Sequence, residues 1–254
     1  MSNHTPQLEH HTSNQKKSLG QASFTDLLLT FIVFIVVIRV SIPFIIDFIG
    51  HQSDQITPSF AITCLVLFQN LILLKLVHYF VLQKHDLTWK DAGLRPTSTR
   101  WCYTAILLAL PLVLIVGLVN FTMMQLIDNE FVNPQLQAIT PEGFSWPSFI
   151  FIMIATGIIA PIAEELTFRG VLLGWLDQRF GRVIAIIGSS LFFGSVHGVP
   201  MLIPALSVAG IAFALLAYRS RSLWPPIILH ATFNMFMTST LFYALSQGAS
   251  FPQP

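Results

Sequence analysis

WCYTAILLALPLVLIVGLVNFTMMQL, residues 101–126, runs through 26 positions without one charged side chain. A helix needs about 20 mainly apolar residues to cross the hydrocarbon core of a bilayer, so this stretch reads as a membrane span. Six further stretches read the same way: 25–48, 58–82, 148–174, 182–198, 201–219 and 223–245. The fifth and sixth of the seven are divided only by HGVP at 197–200, short enough to be either a kink or a loop. The expected fold is all-α: a polytopic membrane protein, a bundle of about seven transmembrane helices.

Composition points the same way. Hydrophobic residues make up 54% of the chain and charged residues 10%, too few to solvate the surface of a water-soluble fold of this length. Net charge is +1, and the basic residues are scattered in ones and twos, which argues against a nucleic-acid partner. Cys64 and Cys102 lie in or beside apolar stretches and belong to no metal-spaced cluster; they read as buried thiols outside any disulfide. The polar start of the chain precedes an apolar stretch too long for a signal peptide, so the first span should persist as an anchor. His10 and His11 read there as part of a disordered polar tail. The expected organisation is a polar cytoplasmic tail (1–23), a scaffold of three spans (24–146), a second membrane domain (147–246) and a short tail (247–254).

Charge placement tests these boundaries independently. Lys and Arg gather in cytoplasmic loops. Here Lys16 and Lys17 fall in the tail, Lys84, Lys90, Arg95 and Arg100 in the second loop, Arg179 and Arg182 in the fourth, and Arg219 and Arg221 in the sixth. Ten of the 13 basic residues thus share one side, while the third loop carries Asp128, Glu130 and Glu142. The implied location is a plasma (inner) membrane, with the amino terminus cytoplasmic and the carboxyl terminus outside. Arg39 and Lys75, inside spans, read as snorkelling or paired side chains.

Residues 154–175, IATGIIAPIAEELTFRGVLLGW, place Glu164, Glu165 and Arg169 in the middle of a span. Residues four apart share a helix face, so Glu165 and Arg169 can pair. Glu164, rotated by about 100°, is free to point elsewhere. Pro161 and Gly157 weaken the helix just upstream. On the fifth span Phe193 and His197 share a face, and on the seventh His230 and Asn234 do. Counted along the helices, Glu164, His197, His230 and Asn234 reach similar depths. A carboxylate, two imidazoles and an amide are the groups needed to activate water and hold an oxyanion.

The ordered set EExxxR, FxxxH and HxxxN on three spans resembles the signature of the CPBP family of intramembrane proteases, the CAAX-protease and bacteriocin-processing group; the resemblance covers roughly residues 148–240. It implies that Glu164 and His197 polarise the attacking water, that His230 and Asn234 hold the oxyanion, and that Glu165 and Arg169 orient the site. The implied substrate is a membrane-associated or lipid-modified protein or peptide at the lipid bilayer. Members are often called metalloproteases. This sequence has no HExxH, and a Glu–His pair can activate water unaided; the metal-free mechanism is preferred, and were zinc bound, Glu164, His197 and His230 would be its ligands. Two other classes compete: a non-catalytic immunity or scaffold protein using the same pocket, and a proton-coupled transporter, which leaves the His and Asn motifs unexplained. Substrate identity, oligomeric state and pathway are not encoded in these patterns.

Overall fold

In the computed structural model the described residues are 18–51, 57–141 and 143–249. His10, His11, Lys16, Lys17, Glu142 and the side chain of Arg39 lie outside them. Eight helices and no strand are found among the described residues: α1 Phe24–His51, α2 Pro58–His85, α3 Thr99–Ile127, α4 Pro134–Ile139, α5 Trp146–Phe180, α6 Arg182–Val196, α7 Pro200–Ser220 and α8 Trp224–Ser246. Seven occupy the seven apolar stretches, and α4 is an addition in the third loop. The chain is an all-α, multi-pass integral membrane protein.

Local sequence explains the helix starts. Pro58, Pro134, Pro147, Pro200 and Pro225 each stand in a first turn, where the N–H that proline lacks would have no intrahelical partner. Asn133 caps α4 by accepting from the N–H groups of Gln135 and Leu136, and Ser145 caps α5 by accepting from Ser148. Gly181 (φ +81°) turns α5 into α6. Gly198 (φ +73°) turns α6 into α7, so HGVP is a tight loop and not a kink.

Four helices, α2, α3, α5 and α7, are by themselves long and apolar enough to cross a membrane. The stretch expected to span at 182–198 is shorter than anticipated. Helix α6 has 15 residues, about 22 Å at 1.5 Å per residue, because His197 and Gly198 leave the helix early. The outer faces are apolar: Leu107 is 75% exposed, and Leu114 and Leu118 65% each, as expected of surfaces that meet lipid. The same condition corrects the reading of the thiols. Cys64 is exposed, Cys102 is half-buried, and both are free, since a thiol in hydrocarbon does not need the protein interior to escape water. Lys75 is exposed on α2.

The basic segments meet at one end of the bundle. Arg179 of α5 donates to the carbonyls of Gly20 (3.1 Å) and Ala22 (2.6 Å), and Trp175 also donates to Ala22 (2.8 Å). Asp26, 1% exposed at the start of α1, accepts from Lys84 Nζ (2.6 Å) and His85 Nε2 (2.8 Å) at the end of α2. Ser222 donates to the Arg95 carbonyl (2.6 Å), joining the sixth loop to the second.

At the α6–α7 hairpin small residues allow close approach. A Cβ on Gly194 would lie 2.9 Å from the Ile203 carbonyl, and one on Gly210 2.9 Å from Ser190 Cβ. Asp26→Ala should destabilise the fold by about 1–3 kcal/mol, because it leaves partners unmet at a buried position. Lys84→Ala, at a side chain 56% exposed, should cost less than about 1 kcal/mol. Thermal unfolding in detergent measures both.

Candidate active site

Glu164 and Glu165 sit between two wide turns of α5. Ala155–Ile159 and Leu166–Leu172 are π-helical, with the Ala160 N–H bonded to the Ala155 carbonyl and the Leu173 N–H to the Phe168 carbonyl. Pro161 cannot donate to the Gly157 carbonyl. Such π turns concentrate at functional sites. Gly157 faces Met235 of α8, where a Cβ would come within 3.0 Å of Met235 Cγ.

The Glu165 side chain is sealed from solvent, and its Oε1 accepts both Arg169 Nη1 (3.0 Å) and His230 Nδ1 (2.9 Å). Arg169 also donates through Nη2 to the Gly210 carbonyl at 3.2 Å. Its guanidinium carbon lies 4.3 Å from the Phe193 ring centre and 5.0 Å from that of Phe213. Phe213 in turn stacks on His230, with centroids 4.6 Å apart and planes at 18°.

Glu164, one residue back and about 100° round the helix, is 19% exposed, and its Oε2 is 3.8 Å from His230 Nε2. The imidazole of His230 therefore lies between two carboxylates, one buried and one partly exposed. Glu165 and Arg169 pair as their four-residue spacing allows, while Glu164 lies within ion-pair range of His230 instead.

His197 is the residue that ends α6. Its Nδ1 is 2.7 Å from the Phe193 carbonyl. A carbonyl can only accept, so Nδ1 carries the proton and Nε2 keeps a lone pair in the neutral ring. The His197 carbonyl accepts from Gln135 Nε2 of α4 at 2.9 Å. Among the described residues no hydrogen bond or ion pair joins His197 to Glu164. Phe193 links the two imidazoles, with its centroid 4.9 Å from His197 and 5.9 Å from His230.

Asn234, one turn beyond His230, donates from Nδ2 to the Thr156 carbonyl in the first π turn (2.8 Å). Phe213, Gly210, Thr156 and Gln135 were not anticipated from sequence. The small residues Ser190, Gly194, Ser207 and Gly210 on adjacent spans were the signal that could have exposed the close α6–α7 contact. For Phe213, Thr156 and Gln135 no such signal exists.

Among the described residues no three His, Cys, Asp or Glu side chains stand close enough to hold an ion. His230 Nδ1 is held by Glu165 and His197 Nδ1 by the Phe193 carbonyl, which leaves Nε2 of each ring as its remaining ligand atom. Glu165 Oε2, Arg169 Nε, Ser190 Oγ and Ser207 Oγ are buried without a protein partner, an unusual concentration of unmet polar atoms.

Residues 146–236 match the family described as Type II CAAX prenyl endopeptidase Rce1-like. Over this segment the chain is similar to Rce1-like domains. The segment holds Glu164, Glu165, Arg169, His197, His230 and Asn234. Over 86 residues the chain is 33% identical to "Putative membrane peptidase YdiL" of Bacillus subtilis (strain 168), an alignment covering 34% of this chain and 35% of that one. Over 138 residues it is 31% identical to "Membrane-embedded CAAX protease MroQ" of Staphylococcus aureus (strain USA300), covering 52% and 55%. The chain thus spans about a third to a half of the length of these curated relatives. No solved structure matches.

Within the matched segment, Glu165→Gln should cost about 3–5 kcal/mol, because it leaves the Arg169 charge buried without its counter-ion. Glu164→Gln, at the more open position, should melt close to wild type. Apparent Tm of the two purified variants separates a scaffold carboxylate from a working one.

Proposed function

We propose that the protein is an intramembrane endopeptidase that hydrolyses a peptide bond in a membrane-associated or lipid-modified substrate, using water activated by Glu164 and His197. The observation that carries this reading is the His230 imidazole held between a sealed carboxylate and an open one inside an apolar bundle. The Rce1-like match and the peptidase names of the two relatives agree with it.

In this mechanism the Glu164 carboxylate takes a proton from a water whose other hydrogen is accepted by His197 Nε2. The water oxygen bonds to the carbonyl carbon, and the developing oxyanion accepts from His230 Nε2–H and from the Asn234 N–H not used by Thr156. His230 performs this role as imidazolium, with Nδ1–H donated to Glu165. Collapse breaks the C–N bond, and the proton on Glu164 passes to the leaving amine. Glu165 and Arg169 act by fixing His230.

Purified protein assayed on prenylated and unmodified peptides should lose cleavage in Glu164→Ala, and His230→Ala should reduce kcat by about 10²–10³, the usual cost of one oxyanion donor. Full activity in Glu164→Ala would overturn the mechanism. Every step uses the chain's own residues, so cleavage should persist after dialysis against a strong chelator; loss restored by zinc would place a metal in the reaction.

Two observations favour the non-catalytic alternative, a peptide-binding immunity or scaffold factor. Asn234 is already engaged by Thr156, and His197 is not bonded to Glu164. Equal cellular protection by wild type and Glu164→Ala in a bacteriocin challenge would support that reading. The proposed orientation, amino terminus cytoplasmic in a plasma membrane, follows from the shared end of the basic segments, and terminal reporter fusions check it.

A further inference from the structure

An apolar groove of about 440 Å³ runs down the outside of the bundle where α3 meets α7. Its α3 wall extends from Trp101 to Ile115, about 21 Å at 1.5 Å per residue. Leu215 and Arg219 form part of the α7 wall, and Leu229 of α8 contributes a buried surface. None of the carboxylates or imidazoles of the candidate active site lines it. One leaflet of a bilayer contributes about 15 Å of hydrocarbon, half of the ~30 Å core. The groove therefore has the length of one acyl chain with its glycerol end.

Its polar side chains lie at one end, and none of them is a carboxylate. The Thr104 hydroxyl is turned back to the Arg100 carbonyl at 2.9 Å. That leaves Arg219, exposed on the last turn of α7, and the indole N–H of Trp101, on the first turn of α3. Among the described residues neither Arg219 nor the Trp101 indole has a hydrogen bond or ion pair to protein, and no carboxylate lines the groove. A guanidinium paired with phosphate is a strong, directional contact, and this end is the one where the basic segments gather.

We propose that the groove binds one anionic phospholipid from the leaflet that the basic segments face, with an acyl chain between α3 and α7 and the headgroup phosphate on Arg219 and Trp101. Charge selects the occupant. The lining offers a cation and no carboxylate for a headgroup ammonium, so a lipid of net negative charge is favoured over a zwitterionic one of the same chains. The assignment does not depend on proteolytic activity.

Native mass spectrometry of the full-length protein, released from detergent with phosphatidylglycerol or phosphatidylcholine of identical chains, tests it. Wild type should retain one phosphatidylglycerol in about fivefold preference, the ratio corresponding to about 1 kcal/mol for one basic residue near the surface. Arg219→Gln should abolish the preference. Leu215→Trp, at a position 44% exposed, should fill the groove and remove the retained lipid of either kind. Lys90→Gln, which removes a loop cation outside the groove, should change neither. Equal retention of the two lipids by wild type would overturn the proposal. So would a preference that survives Arg219→Gln, or lipid retention unaffected by Leu215→Trp, which would reduce the contact to headgroup attraction. Displacement of all phospholipid by a farnesylated cysteine ester would make the groove a prenyl site and overturn the assignment equally.

Discussion

A guanidinium and a carboxylate, both sealed from solvent, stand where four helices meet: Arg169 and Glu165 of α5. Neither charge could be left alone in an apolar bundle, so the surroundings are arranged to answer them. Helix α7 gives the Gly210 carbonyl and the Phe213 ring, α6 the Phe193 ring, and α8 the His230 imidazole. The glycine at 210 is part of that answer, since a Cβ there would lie 3.2 Å from Arg169 Nη2. One ion pair thus fixes the relative heights of α5, α6, α7 and α8. The ring that would touch a reacting carbonyl is held as a by-product of burying a charge.

The two adjacent glutamates divide their tasks because of the helix that carries them. In a regular α-helix neighbouring residues already diverge by about 100°. Here a wide turn on each side, with Pro161 between them, also loosens the ladder. Backbone carbonyls displaced from their usual donors become available to side chains, and the Thr156 carbonyl takes up Asn234 in this way. Departure from regular backbone at membrane depth is tolerated where protein covers it, and Ala155, Gly157, Ala163 and Thr167 are all buried.

What could be read from sequence was what depends on composition and spacing within one helix. The apolar stretches gave helix positions because lipid permits little else, and EExxxR gave the Glu165–Arg169 pair because four-residue spacing is a local geometric fact. The link from Glu165 to His230 joins residues 65 apart, and no local rule encodes it. Phe213 was invisible for the same reason, as one of 22 phenylalanines in an apolar chain. The buried reading of Cys64 failed on a rule imported from water, where an apolar side chain must turn inward. The length of α6 was overestimated because His197 reads as the last polar residue of a span, whereas Gly198, with φ +73°, had already ended the helix.

That short helix has a consequence for the membrane itself. Val183, Ile184 and Leu191 on α6 are exposed at 69%, 56% and 50%, so its flank is in contact with lipid, yet its length of about 22 Å falls short of a ~30 Å hydrocarbon core. Such hydrophobic mismatch is relieved by local thinning of the bilayer, at fractions of a kcal/mol per Å. Thinning along this flank would bring headgroups and water nearer to the turn that bears His197 than the average bilayer allows. Bilayer thickness, set by lipid chain length and sterol content, becomes a variable that acts on the depth of that turn without touching any residue in it.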